Sequence, residues 1–145
     1  MILTVNLVFA AFLAGLHWYL QIVHYPLFSY IEKKPFIEYH INHLKRNIFI
    51  LFIPMLAEGA FSILLAFDYP SLLNPMIPIL CLCISTGLWL YTFSNIAPLQ
   101  DKLTTDGFDK EVIKKLEETN WIRTIGWTVK TILLIYCMTK VTFLA

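Results

Sequence analysis

The stretch Asn47–Phe67, NIFILFIPMLAEGAFSILLAF, decides the fold class of this chain, because Glu58 is its only charged side chain. A helix needs about 20 predominantly apolar residues to cross the hydrocarbon core of a bilayer. The run reaches that length without a break. We therefore interpret it as a transmembrane helix that carries one carboxylate at bilayer depth.

Three further runs have a similar length, and two of them are also almost free of charge. The chain is 58% hydrophobic and 14% charged, well below the roughly 25% charge of soluble domains. The other runs are Ile2–Ile31, Met76–Asn95 and Asn120–Leu144, the last of which carries Arg123, Lys130 and Lys140. We predict a single domain over residues 1–145, an all-α integral membrane protein with four transmembrane helices in an up-down bundle and amphipathic cytoplasmic segments. We find no internal sequence repeat.

The positions of the basic residues predict an orientation. They follow the first span as Lys33, Lys34, Lys45 and Arg46, and precede the fourth as Lys102, Lys110, Lys114 and Lys115. The positive-inside rule places both groups in the cytoplasm. We expect an inner-membrane protein with both termini outside and an uncleaved first span, which Pro26 kinks or ends.

The expected partners follow from the same composition. The net charge of +1 and the lack of a basic, aromatic-interleaved run argue against nucleic acid. The lipid bilayer and a hydrophobic small molecule are the partners we expect, and oligomerisation is left open.

Polar side chains recur at helical spacing in the first two spans. One row is Asn6, His17, Gln21 and His24, and the second is His40, His43, Asn47 and Glu58. Residues at these intervals share one helix face. Polar groups inside a membrane are costly and usually face the protein interior, where they mark functional sites. The stripe therefore indicates an interior site.

Rise per residue separates this site into two layers. We take the cytoplasmic boundary near Leu27, Arg46, Asn95 and Thr119. At about 1.5 Å per residue, His17, Glu58 and Lys130 then come out at a common depth of roughly 15–18 Å. We predict that Glu58 pairs with Lys130 or His17, either as a structural ion pair or as a proton-handling group. The second layer, nearer the cytoplasm, includes Gln21, His24, His40, His43, Asn95, Asn120 and Arg123.

Each layer suggests candidate roles. The catalytic candidates are His17, Glu58, Lys130, Arg123 and Asn120, the last two as groups that polarise a substrate oxygen. The substrate-pocket candidates are Gln21, Trp18, Trp89, Asn95 and Trp127. The cofactor is left open: a metal ion on His24, His40 and His43, or a b-type haem on His17 or His24, is compatible with the spacing.

Two resemblances bear on function. Pro98-Leu99-Gln100-Asp101-Lys102-Leu103, followed by Asn120-Trp121-Ile122-Arg123-Thr124, resembles the anthrone oxygenase-like family of small four-helix membrane proteins. That resemblance implies a membrane oxygenase or oxidoreductase for a flat hydrophobic substrate. The first span, from Ala14-Gly15-Leu16 to His24-Tyr25-Pro26-Leu27-Phe28, is similar to the small membrane protoporphyrinogen oxidases.

We therefore expect a small membrane oxidoreductase or monooxygenase acting on a hydrophobic substrate in a polar intramembrane cavity. The alternative is a non-enzymatic membrane protein that binds a lipid, haem or partner, or that carries protons or a small solute. Hydrolase and kinase chemistry is disfavoured, because the sequence has no Ser-His-Asp arrangement, glycine-rich phosphate loop or thiol pair.

Overall fold

The computed structural model describes residues 1–144, and these residues form an all-helical structure without strands. The helices are α1 (Ile2–Tyr19), α2 (Tyr25–Phe28), α3 (Phe36–Phe67), α4 (Met76–Tyr91), α5 (Ala97–Thr105) and α6 (Lys110–Leu144). Two π-helical turns, Leu20–His24 and Thr92–Ile96, join α1 to α2 and α4 to α5 without a break. The all-α prediction is confirmed.

Three continuous helical stretches are long and apolar enough to cross a membrane. They are Ile2–Phe28, Phe36–Phe67 and Met76–Thr105. The fourth long helix, α6, carries more charge along its length and is not among them. The amphipathic pieces at residues 36–46 and 110–116 are the first turns of α3 and α6 rather than separate surface helices.

Each π turn ends two residues before a proline. Pro26 and Pro98 have no N–H to donate, and a proline ring crowds the carbonyl four residues earlier. A π turn opens the local hydrogen-bond pattern by one residue and accommodates such a misfit. The first span therefore runs continuously to Phe28 and does not end at Pro26, so of the two expectations for Pro26 the end is wrong.

Short links connect the long helices. Residues 68–75 link α3 to α4. Near the end of this link, Asn74 Oδ1 accepts a 3.0 Å hydrogen bond from the Met76 N–H at the start of α4. Asp109 caps α6 by accepting hydrogen bonds from the Glu111 and Val112 N–H groups at 2.9 and 3.2 Å, a favoured use of aspartate. Gly107 precedes it at φ +84°, a conformation that glycine adopts at little cost. We call the 68–75 side the loop end and the opposite side the linker end.

The four long helices pack in a closed order. α1 packs against α3 and α6, and α4 packs against the same two helices, whereas the backbones of α1 and α4, like those of α3 and α6, do not approach each other within the described residues. The fold thus has an α1–α6 seam and an α3–α4 seam on opposite sides.

The two halves of the chain repeat the same pattern 72 residues apart. The turn Leu20–His24 corresponds to Thr92–Ile96, and the pattern Gly-Leu-x-x-Tyr followed by Pro-Leu begins at Gly15 and again at Gly87. Buried positions of α3 also recur in α6, namely Met55 with Trp127, Glu58 with Lys130, Ser62 with Leu134, and Leu65 with Cys137. The expectation of no internal repeat is therefore wrong. Matching positions differ in polarity, which conceals the repeat in the sequence.

Candidate functional site

An ion pair between Glu58 and Lys130 lies in the interior. Both side chains are fully buried, and Lys130 Nζ donates to Glu58 Oε1 and to the Ser85 hydroxyl. Lys130 Nζ also donates to Ser62 Oγ at 2.6 Å, and Asn6 Nδ2 donates to the same oxygen at 2.8 Å. The predicted Glu58–Lys130 pair is present in the structure, where it connects α3 to α6 across the interior.

His17 does not belong to this layer, which corrects the expectation of a common depth. Its Nδ1 lies 2.7 Å from the Leu13 carbonyl oxygen, and its ring packs 6.2 Å from the Trp127 ring, centroid to centroid. Asn6, not His17, meets Glu58 from α1. These two α1 residues are 11 positions apart, or about 16 Å along a helix. The error arose because α3 begins at Phe36, well before the boundary assumed at Arg46.

Sequence reasoning missed two members of the Glu58 layer. Ser62 Oγ donates to Glu58 Oε1 at 2.7 Å, and Ser85 Oγ donates to the same oxygen at 3.2 Å. The available signal for Ser62 was its position four residues after Glu58, on the same helix face. Ser85 offered no signal of its own, because the approach of α4 decides its contact.

The second polar layer closes the α1–α6 seam. Asn120 Nδ2 donates to Gln21 Oε1 at 3.0 Å, and Gln21 Nε2 donates to the Glu117 carbonyl oxygen at 3.0 Å. Thr124 Oγ1 donates to the His17 carbonyl oxygen at 3.3 Å. Asn120 is fully buried in this packing. Gln21 and Asn120 are thus buried partners of each other, and neither is among the residues that line the α3–α4 groove described below.

Three histidines gather near the linker end. His24 Nε2 lies 3.0 Å from His43 Nδ1, and the two rings stack with centroids 4.3 Å apart. The centroids of the His40 and His43 rings are 5.9 Å apart. His40 Nε2 lies 3.2 Å from the Gln100 carbonyl oxygen. Asn47 Nδ2 lies 2.8 Å from His43 Nε2. The three residues therefore form a hydrogen-bonded cluster that also involves Asn47 and Gln100.

This cluster does not have the geometry of a metal site. Among the described residues, no group of three or more His, Cys, Asp or Glu side chains could hold a metal ion. His24 and His43 use ring nitrogens on each other, and zinc requires those nitrogens to converge on one point about 2.0–2.1 Å away. The prediction of a metal on His24, His40 and His43 is therefore unsupported. His17 is likewise packed against Trp127, where a haem would need space.

A groove opens in the α3–α4 seam, between the Ser85–Glu58 contact and the His40–Gln100 contact. Its volume is about 600 Å³, within the range of roughly 300–1,000 Å³ typical of small-molecule sites. The polar lining includes Tyr25, His43, Asn47, Gln100 and Arg123, and the apolar lining includes Leu51, Phe52, Met55, Phe93 and Ile96. The π turn Thr92–Ile96 forms part of its wall, and π turns recur at functional sites.

Arg123 is the buried cation of this groove. It lines the groove from α6 with 2% of its surface exposed. Within residues 1–144 it forms no ion pair, and its Nε has no hydrogen-bond acceptor. A guanidinium that is removed from water favours an anionic or carbonyl oxygen as its partner. Tyr25, another residue of the lining, is a side-chain hydrogen-bond partner of the guanidinium, but no carboxylate accompanies it within residues 1–144. The groove therefore presents a buried cation without a counter-charge to whatever occupies it.

The five residues predicted to line a substrate pocket do not come together at this groove. Trp18 and Asn95 lie on the exterior, where Trp18 Nε1 donates to Thr128 Oγ1 at 3.0 Å and Asn95 bonds within its own helix. Trp89 lines a different, smaller groove beside Gly59. Gln21 and Trp127 are packed inside. Helical spacing indicated a shared face but could not show which side chain from the next helix would cover it.

Comparison with known proteins gives no further assignment. No protein-family model, curated protein or solved structure matches this chain. Function must therefore be argued from the groove and its surrounding side chains.

Proposed function

We propose that this chain is an integral membrane protein that binds a hydrophobic small molecule in the α3–α4 groove and acts on it as an oxidoreductase of the monooxygenase type. The observation that carries the proposal is the convergence of His43 and Arg123 on one largely apolar groove. The resemblance to anthrone oxygenase-like proteins points to the same class of reaction.

The proposed membrane protein has four spans, namely the three apolar helical stretches and α6. We propose that α6 crosses as well, because Arg123 and Lys130 are buried inside the protein instead of facing lipid. Intramembrane charges are tolerated when they face the interior and find partners. The four spans then run up and down, with both termini outside an inner membrane and the basic links inside.

In the proposed reaction, Arg123 binds an oxygen atom of the substrate and His43 acts as the base. His24 lies 3.0 Å from His43 and orients its ring, as a second group commonly does for a catalytic histidine. Asn120 is not part of the oxygen site, because its amide hydrogen bonds to Gln21. Glu58 and Lys130 serve as the structural pair that connects α3 to α6.

A purified sample in lipid nanodiscs tests ligand binding first. Organic extraction and mass spectrometry should find a hydrophobic molecule enriched in the wild type and depleted in Ala97→Tyr, whose side chain fills the groove. Ala60→Tyr, beside a different groove, is the matched control and should retain the molecule. Equal enrichment in all three proteins would refute binding in this groove.

The recovered molecule then tests catalysis. Wild-type protein should convert it in an oxygen-dependent reaction, and His43→Ala should lower that rate by about 10²–10⁴-fold, the usual contribution of a general base. An absorption spectrum and metal analysis of the same sample separate a cofactor-free reaction from one that uses haem or a metal.

A non-enzymatic binding protein is the second candidate. The His24, His40 and His43 rings already form hydrogen-bond contacts within the protein. Contacts of this kind are expected if the three histidines only stabilise the structure, so they favour this second candidate. Binding without any turnover in the oxygen assay would select this candidate.

Orientation has its own test. A cysteine-free protein carrying either Ser71→Cys or Asp106→Cys, both at exposed positions, is treated with an impermeant thiol reagent in intact cells. We expect labelling at position 71 and protection at position 106. The reverse pattern would place the basic links outside.

A further inference from the structure

The ligand of the groove can be assigned a chemical class. We infer that it is a single-chain lipophilic carboxylate whose head group is bound by Arg123 and whose chain lies along the apolar part of α3. This inference rests on the proposed binding of a hydrophobic molecule in the groove and names what that molecule carries.

The first argument is the state of Arg123. Its surface is 2% exposed, and it forms no ion pair within residues 1–144. Tyr25 is a neutral hydrogen-bond partner of the guanidinium, but Nε lacks an acceptor. The other deeply buried cation, Lys130, has a carboxylate partner in Glu58. A buried charge without a counter-charge is strongly destabilising. An anionic group of a ligand would form an ion pair with Arg123, as Glu58 does with Lys130.

The second argument comes from the internal repeat. The α1–α6 seam corresponds to the α3–α4 seam, and in it Gln21 and Asn120 fill the interface with a 3.0 Å hydrogen bond. The corresponding residues of the α3–α4 seam, 72 positions away, are Phe93 and Ile48, which line the groove. Side chains therefore fill the interface in the α1–α6 seam, whereas the corresponding interface of the α3–α4 seam contains the groove.

Arg123 itself departs from the repeat. Its counterpart in α3 is Leu51, an apolar residue that lines the same groove. The architecture does not need a cation at this position. The guanidinium is therefore better explained by binding of a ligand in the groove than by packing between the helices.

The distribution of polarity along the groove gives the orientation of the ligand. His43, Asn47 and Gln100 lie toward the linker end, whereas Phe52 and Met55 lie farther along α3 toward the loop end. This division suits a polar head and an apolar chain. Asp101, an acidic lining residue, is exposed at the linker end, so water can solvate its charge.

The size and the donor geometry favour a carboxylate on one chain. A groove of about 600 Å³ has the size of a single-ligand site, and a two-chain phospholipid exceeds it. The planar guanidinium matches a carboxylate through two parallel N–H···O hydrogen bonds.

The experiment compares two ligands that differ only in the head group. Hexadecanoic acid and hexadecanol are titrated into the full-length protein in neutral phosphatidylcholine nanodiscs, and displacement of a fluorescent fatty acid is measured. We expect the acid to bind at least tenfold more tightly than the alcohol. Arg123→Gln should remove that preference while leaving the affinity for hexadecanol unchanged, which also shows that the variant is folded.

The matched control is Arg46→Gln, which removes the same charge from an exposed position of α3 and should preserve the preference for the acid. Equal binding of acid and alcohol in the wild type would refute the inference and leave binding in the groove intact. Tighter displacement by phosphatidic acid than by hexadecanoic acid would also refute it, in favour of a phospholipid. If neither probe binds and Ala97→Tyr changes nothing, the proposed function itself fails.

Discussion

Breaking the Glu58–Lys130 pair should be among the most destabilising single changes in this protein. Lys130→Met keeps a long, flexible side chain at the site but removes the ammonium group. That group donates to Glu58, Ser62 and Ser85, so three contacts are lost together. The Glu58 carboxylate stays fully buried without its counter-charge, which is the larger part of the cost.

The expected magnitude follows from that burial. Removal of one member of a buried pair typically costs about 3–5 kcal/mol, whereas replacement of both members is often nearly neutral. Lys130→Met should therefore lower the free energy of unfolding by about 3–5 kcal/mol. The double variant Glu58→Gln/Lys130→Met should recover most of this loss, because it leaves no isolated charge inside the protein.

A double-mutant cycle in detergent micelles measures both effects by reversible denaturation, followed by far-ultraviolet circular dichroism. The control is Lys114→Met, which breaks the exposed Lys114–Glu118 contact at 3.8 Å; exposed pairs contribute about 0–1 kcal/mol. Strictly additive effects of the Glu58 and Lys130 substitutions, or a loss at Lys130 no larger than at Lys114, would refute the reasoning.

Three further substitutions test the packing. Gly126→Ala should lower the free energy of unfolding by about 1–3 kcal/mol, because the new Cβ would lie 2.6 Å from a Leu88 side-chain carbon. The matched control is Gly87→Ala, whose Cβ meets nothing within 4 Å. This control should not lower the melting temperature. Gln21→Ala should cost about 1–3 kcal/mol in the same denaturation assay, since it leaves buried hydrogen-bonding groups of the α1–α6 seam unpaired, a penalty expected for buried polar groups. Asp109→Ala should cost about 1 kcal/mol by removing the α6 cap, as other lost N-caps do; an unchanged midpoint would contradict that role.

Part of the candidate site was predictable from one helix at a time. The spacing of His40, His43 and Asn47 indicated one face, and the structure brings His43 and Asn47 to the same groove. Burial of Arg123 and Lys130 followed from the cost of charge at bilayer depth. These inferences succeed because periodicity and desolvation act locally on each helix.

Other parts depended on how far one helix slides along another. His17 was expected beside Glu58, but Asn6 lies there instead. Trp127 was expected in a pocket but is packed in the core, and Trp18 faces outward. A shift of three or four residues brings the next turn of the same face opposite a given neighbour, and periodicity carries no information about that shift.

By itself, the sequence determined an all-helical chain with long apolar segments, because hydrophobic length and the scarcity of charge leave little choice of secondary structure. It also determined that Glu58 and Lys130 would need partners. Only the tertiary structure decided that they pair with each other and that a groove opens in the α3–α4 seam, whereas side chains fill the corresponding α1–α6 seam. The physical reason is that packing between helices depends on side-chain shape at contacts distant in sequence, such as Gln21 with Asn120 in the closed seam.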